Sequence, residues 1–223
     1  MIYKAVVFDM DGTIVDTERV WAQATCTLLE QKNIACTPEL LHQIRTKIQG
    51  LDVVNSCRTI KEITGMEGTV GEICEVKKGI AHDYYAAGIR FMQGFIDFHK
   101  KLQALGIKTA IATNAVEKTI ELTQEALNIR QFFGEHIYGL ERVAGKGKPN
   151  PDVYLLAAEK IEMLPHLCVA IEDSAHGIVA AQKAGMFCIG LDPADNYAQV
   201  ASADYIVKGF DGIDLDLLFG AQK

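Results

Sequence analysis

Short apolar runs alternate with helix-length amphipathic stretches along most of this chain, and that alternation restricts the folds open to it. The strand-like runs are Ala5–Phe8, Lys108–Ala112, His136–Tyr138, Leu167–Ile171, Phe187–Gly190 and Tyr205–Val207. Helical patterns lie between them at Ile96–Leu105, Glu117–Leu127, Asp152–Ile161 and Ala175–Ala184. Strands that alternate with helices imply an α/β fold with a parallel sheet covered on both faces, because each parallel pairing needs a crossover to bring the chain back. Ligands on such sheets bind outside the carboxyl ends of the strands. The residues that follow each run are therefore where chemistry is expected.

One section breaks the rhythm. From about Asp16 to Gly94 the patterns are helical, at Glu18–Gln31, Pro38–Ile48, Val53–Ile63 and Val70–Ala86, with no convincing strand. Pro38 suits the first turn of a helix, and Gly65, Gly68 and Gly88 read as helix ends or turns. Ordinary crossovers are much shorter, so residues 16–92 are expected to form an inserted α-helical domain, with residues 1–15 and 93–223 forming the core.

Composition narrows the function classes. A chain of 223 residues with 49% hydrophobic and 23% charged residues has the make-up of a soluble globular protein. A net charge of -7 and a pI near 5.4 argue against non-specific binding to nucleic acid or to an anionic membrane. No basic segment precedes an apolar run at the start, and no apolar stretch approaches the length of a bilayer span, so a cytoplasmic protein is expected. The cysteines at 26, 36, 57, 74, 168 and 188 form no Cys-x-x-Cys pair and show no zinc spacing. Reduced, mostly buried thiols are the expectation.

The run Val6-Val7-Phe8 leads directly into Asp9-Met10-Asp11-Gly12-Thr13. Strand alternation would point Asp9 and Asp11 to the same side. At ~5 Å and an effective dielectric near 20 they would repel by roughly 3 kcal/mol, which a hard divalent cation removes. An acidic turn after a first strand is the plain alternative. Thr113-Asn114 follow the run Thr109–Ala112, where a hydroxyl and free N–H groups at a helix start can hold a phosphate; simple N-capping is the alternative. Lys148 lies in Gly145-Lys146-Gly147-Lys148-Pro149-Asn150-Pro151, a loop that its prolines pre-set as extended, with Lys146 as a competing cation. Glu172-Asp173 close the run Leu167–Ile171 and sit ahead of a helix. Acids there could serve only that helix terminus, a gain of about 0.3–1 kcal/mol each. Adjacent strand residues point to opposite sides, so only one of the two is expected to reach an ion directly. Asp9, Asp11, Glu172 and Asp173 carry four negative charges against one from Lys148. One Mg²⁺ would reduce that excess to about minus one, and a protonated Asp11 to zero.

Taken in order, Asp9-Met10-Asp11-Gly12-Thr13, Thr113-Asn114, Lys148-Pro149-Asn150-Pro151 and Glu172-Asp173-Ser174 with Gly177 resemble the four signatures of the haloacid dehalogenase superfamily, which are mostly Mg-dependent phosphohydrolases. The resemblance spans nearly the whole chain. It implies a Rossmann-like core with an inserted helical cap, and Lys148 rather than Lys146 as the signature lysine. It implies Asp9 as a nucleophile that forms an aspartyl-phosphate and Asp11 as general acid and base. Thr113, Asn114 and Lys148 would bind phosphate. Mg²⁺ would be held by Asp9, the Asp11 carbonyl and Asp173, with Glu172 close by or bound through water. An Asp at position 11 points to phosphate esters, because the superfamily's dehalogenases and phosphonatases lack it.

The resemblance is closest to the branch that holds β-phosphoglucomutase and small sugar-phosphate phosphatases. Its mutases carry an arginine three residues after the cap-loop glycine, where this chain has Val53. A phosphatase acting on a small phosphorylated metabolite is therefore expected, with the mutase as alternative. Trp21, Gln49, Gly50 and Leu51 are the cap residues expected to select substrate, although Trp21 could equally pack the cap's own core. Asp16 lies at the expected hinge or caps the next helix, and His176 is expected at the surface. A phospho-acceptor signalling module uses similar parts, but such modules are shorter and lack the insert. A monomer is expected.

Overall fold

The computed structural model describes residues 3–48, 51, 53–193 and 197–220. The chain divides into two compact units, Met1–Asp16 with Arg90–Lys223 and Thr17–Ile89.

The larger unit is a parallel six-stranded sheet with helices, a Rossmann-like α/β fold. Its strands are β1 (Ala5–Phe8), β2 (Lys108–Ala112), β3 (Ile137–Tyr138), β4 (Cys168–Glu172), β5 (Phe187–Leu191) and β6 (Tyr205–Val207), in the spatial order β3-β2-β1-β4-β5-β6. β1 is central and wholly buried, pairing Phe8 with Ile111 on one side and with Ile171 on the other. Alternation along β1 then sorts the core. Ala5 and Val7 pack with Ala110, Cys168, Ala170 and Cys188 against helices at Asp152–Lys160 and Ala175–Lys183. Phe8 faces the other way, into rings that include Phe95 (5.9 Å) and Phe133 (5.6 Å). Most helices and strands match the sequence pattern to within a residue; three short helices, Arg130–Phe133, Tyr197–Val200 and Leu215–Phe219, have too few turns to show a period.

His99 sits fully buried in that aromatic layer, with Nε2 3.1 Å from Thr109 Oγ1 and Nδ1 without a partner. Burial pushes its pKa down to about 4 from 6.5. Between these values the unfolded chain binds the extra proton, so the protein should lose roughly 2–3 kcal/mol as pH falls from 6.5 to 4. Urea unfolding of the wild type and of His99→Leu across that range checks this. The variant's curve should be flatter by that amount, and parallel curves would contradict it.

The contact boundary falls at Asp16/Thr17 and Ile89/Arg90, where the sequence had suggested 15/16 and 92/93. The reason is local pairing. Asp16 N–H donates to the Arg90 carbonyl (2.9 Å), Met92 N–H donates to that of Ile14 (2.9 Å), and Val15 bridges Phe91. The Asp16 carboxylate is 2.7 Å from the Arg90 guanidinium. Thr17, not Asp16, stands at the head of the next helix.

The smaller unit contains four described helices, α1 (Glu18–Gln31), α2 (Pro38–Ile48), α3 (Val53–Thr64) and α4 (Val70–Ala87). A reciprocal capping box opens α4: the Thr69 hydroxyl accepts from Glu72 N–H, and the Glu72 carboxylate accepts from Thr69 N–H. The expectation of six reduced cysteines fails here. Cys26 and Cys36 are disulfide-bonded, whereas Cys57, Cys74, Cys168 and Cys188 are free and buried. The reversal after α1 brings their Cα atoms to 5.3 Å, inside disulfide range, a closeness that no spacing rule registers. Among the described residues, no helix is long and apolar enough to cross a membrane.

Candidate active site

β1 ends at Phe8, and Asp9 N–H donates to the Ile171 carbonyl (3.0 Å), which fixes Asp9 at the carboxyl edge between β1 and β4. Asp9 continues the face of Ala5 and Val7 and is buried. Alternation does not govern Asp11, contrary to the sequence argument. The chain turns instead, with Ile14 and Val15 N–H both donating to the Met10 carbonyl and Gly12 at φ +86. A Cβ at Gly12 would strike the Asp173 carboxylate, so glycine is required there for space as well as conformation. Asp11 is half-buried.

β4 delivers Glu172 on the face of Cys168 and Ala170, fully buried. Its Oε1 accepts from Lys148 Nζ (2.5 Å) and from Tyr154 Oη (2.8 Å). Its Oε2 accepts from the N–H groups of Asp173 and Ser174 (3.2 Å each) and from Ser174 Oγ (3.0 Å). Lys148 Nζ also lies 2.5 Å from Asp9 Oδ1 and 4.9 Å above the Tyr154 ring. The argument from opposite strand faces fails for Glu172 and Asp173. The strand stops at Glu172, and Asp173 turns into the helix that Ser174 caps, so both acids reach one cluster. Oxygens of Asp9, Glu172 and Asp173 lie within 4.8 Å of one another, and Thr13 Oγ1 donates to Asp173 Oδ1 (3.2 Å).

Three clustered acids face one lysine. Burial, with Glu172 and Asp173 nearby, holds the Asp9 pKa well above its ordinary value against the opposing pull of Lys148. Burial and then Glu172 push Asp173 up to about 7. Burial alone would lower the Lys148 pKa, but Asp9 and Glu172 outweigh it and raise it. Ionised together, these acids would crowd more negative charge than one lysine balances, and their hard oxygen donors suit a divalent cation such as Mg²⁺. Both Glu172 oxygens already accept from protein donors, and Asp9 and Asp173 stand beside it in the same cluster.

Gly177 fits beside this network because it lacks a side chain: a Cβ there would overlap the Glu172 carboxylate. Gly177→Ala must displace Glu172 and with it Lys148, at a cost of about 1–3 kcal/mol of stability. A lowered melting temperature together with at least a ~10²-fold loss of turnover is expected. A variant matching the wild type in both would show that Glu172 does not need its present place.

The remaining predicted residues fall as follows. Thr113 is buried, and its Oγ1 accepts from Ala115 N–H (3.0 Å). The Asn114 side chain is committed to Lys148, with Oδ1 accepting from Lys148 N–H (2.8 Å) and Nδ2 donating to its carbonyl (3.3 Å). The expected helix start behind Thr113 lies further on, at Glu117, whose N–H already donates to the Glu141 carboxylate (3.0 Å). Lys146 is exposed, 3.9 Å from Asp152. His176 is exposed on its helix. In the smaller unit Trp21 is half-buried with Lys77 Nζ 5.7 Å from its ring centre, and Leu51 is exposed; Gln49 and Gly50 lie outside the described residues. Tyr154 escaped the sequence reading, and Thr13 and Ser174 entered it only as members of the signatures, with no role of their own. Tyr154 left one signal, a hydroxyl on the apolar face of a helix that begins one residue after Pro151.

A sequence profile of haloacid dehalogenase-like hydrolases matches residues 6–191. The chain is 28% identical over 187 residues to a phosphorylated carbohydrates phosphatase of Thermotoga maritima, covering 82% of each. It is 28% identical over 222 residues to a β-phosphoglucomutase of Bacillus subtilis, covering 96% of this chain and 93% of that one. A haloacid dehalogenase family hydrolase from Deinococcus radiodurans R1, solved with bound phosphate and sodium, superposes with a TM-score of 0.79 at 26% identity, covering 94% of this chain and 92% of its own. With its profile match, its sheet order and its acid–lysine cluster in agreement, the chain belongs to the haloacid dehalogenase-like hydrolases.

Proposed function

We propose that the protein is a Mg²⁺-dependent phosphatase that hydrolyses a small phosphate monoester, such as a sugar phosphate, through an aspartyl-phosphate on Asp9. The observation that carries this reading is the Lys148 ammonium, buried and 2.5 Å from both Asp9 and Glu172, beside Asp173. The names of the Thermotoga and Bacillus relatives support the substrate class.

Asp9 and Asp173 with the Asp11 carbonyl would hold the ion, which supplies charge neutralisation and aligns the phosphoryl oxygens. Lys148, locked by Glu172 and Tyr154, keeps one Asp9 oxygen in place and presents positive charge to the phosphoryl group. Asn114 fixes the backbone of Lys148. The Thr113 hydroxyl accepts from Ala115 N–H, which leaves its own proton to donate to a phosphoryl oxygen. Asp9 attacks phosphorus while Asp11, outside the clustered acids, gives a proton to the leaving oxygen. Asp11 then takes a proton from the water that cleaves the acyl phosphate. Residues 17–89 act as the cap that selects substrate.

Phosphate release from a panel of sugar and nucleotide monophosphates, with Mg²⁺ or with EDTA, tests this. Turnover should stop in EDTA and return on adding Mg²⁺. Metal-independent turnover would sink the reading. Interconverted hexose phosphates without free phosphate would make the protein a mutase, despite Val53 at the arginine position.

A further inference from the structure

The Cys26–Cys36 disulfide stands apart from the other cysteines. Both residues are half-buried, whereas the free thiols at 57, 74, 168 and 188 are buried. Cys26 lines a cleft of about 230 Å³, together with Ala22, Thr27, Glu30, Leu41 and Tyr84. Leu41 belongs to α2 and Cys26 to α1, so the bond closes the α1–α2 reversal next to this cleft. Backbone bonds tie that reversal to α1 as far as Ile34, whose N–H donates to the Leu29 carbonyl (2.9 Å), and across Cys36 the backbone bond is a local one, from Thr37 N–H to the Ala35 carbonyl (3.0 Å). Ala35 and Thr37 on either side of Cys36 are exposed.

We propose that Cys26–Cys36 is a reversible thiol-exchange site, entered by low-molecular-weight thiols through this cleft, whose reduction releases the start of α2 from α1. A thiolate of the small thiol attacks Cys26 Sγ. The bond to Cys36 breaks, and Cys36 leaves as a thiolate that takes a proton from water. The thiolate of a second small thiol then attacks the first small thiol's sulfur in the mixed disulfide, which releases the small-molecule disulfide and frees Cys26 as a thiolate that takes up a proton. In total, one protein disulfide and two small thiols give two protein thiols and one small disulfide, and the reverse direction uses that small disulfide as oxidant. The exchange is confined to this pair. The free cysteines are buried, and burial pushes Cys57 up to about 12 and Cys168 up to about 11, which denies those two thiolate character.

The full chain is equilibrated in glutathione/glutathione disulfide mixtures, quenched by alkylation and mapped by peptide mass. Only Cys26 and Cys36 should titrate, reversibly. The reduced protein should melt roughly 5–10 °C lower and be cut faster by protease near Ala35–Thr37. Cys36→Ser should accumulate a glutathione adduct at Cys26 faster than Cys26→Ser does at Cys36, because Cys26 is the residue in the cleft. The proposal fails if the native pair resists glutathione until the protein unfolds. It also fails if other cysteines exchange alongside, or if reduced and oxidised proteins melt and digest alike. None of these readouts involves turnover, so they stand independently of the phosphatase reading.

Discussion

Asp9→Asn yields a folded protein with no measurable phosphate release. The substitution removes the attacking oxygen, and loss of a covalent nucleophile typically costs on the order of 10⁴-fold or more in turnover. Folding should not suffer in proportion. Asp9 shares a buried cluster with Glu172 and Asp173 against one lysine, and its pKa is already held high by burial and those neighbours. A neutral amide relieves that crowding, and Lys148 keeps Glu172 at 2.5 Å. A thermal melt within a few degrees of the wild type, or above it, together with absent turnover, is the expected pair of results. Full activity would remove Asp9 from the chemistry.

Lys148→Met is expected to damage both folding and catalysis. Lys148 is the cation between Asp9 and Glu172, and its side chain is only 3% exposed. Removing one partner of a buried ionic network leaves uncompensated charge, at a cost of about 3–5 kcal/mol. Turnover should fall by roughly 10³-fold or more, since the phosphoryl group loses a fixed positive charge and Asp9 loses its anchor. The deficit should depend on pH in a definite sense. Without the ammonium, the raised Asp9 pKa rises further, so the folded state retains a proton that the unfolded chain has released. The wild type shares the decline that begins near the unfolded carboxylate's value, so stability of the variant relative to the wild type should decline once pH passes the already raised Asp9 pKa of the wild type. Urea titrations at pH 5 and pH 8 read this directly. A gap no larger at pH 8 than at pH 5 would mean that Lys148 does not neutralise those acids.

Much of this was legible in the sequence, for identifiable reasons. Ala5–Phe8 is buried throughout in the parallel sheet and Lys108–Ala112 over its last three residues, so their apolar stretches mark them clearly. Glu18–Gln31 and Pro38–Ile48 show full amphipathic periods. The acids stand out because each lies at or just past the end of a strand. Their geometry does not, because strand alternation stops where the strand does. Asp11 and Asp173 both lie past that point, in turns set by Gly12 and Ser174. The Tyr154–Glu172 contact and the Cys26–Cys36 bond depend on which separate residues meet in space, and their one trace in a single segment is the Tyr154 hydroxyl on an apolar helix face. The pairing of the Asn114 amide with the Lys148 backbone likewise joins two separate loops.

The most direct test of Asp9 as the phosphorylated group is to trap the intermediate. Protein turning over a phosphate monoester with Mg²⁺ is quenched with borohydride, which reduces an acyl phosphate to the alcohol, and the peptides are sequenced by mass spectrometry. The account predicts homoserine at position 9 and at no other acid, dependent on both substrate and Mg²⁺. Steady turnover with position 9 unaltered, or with the label on another carboxylate, would contradict it.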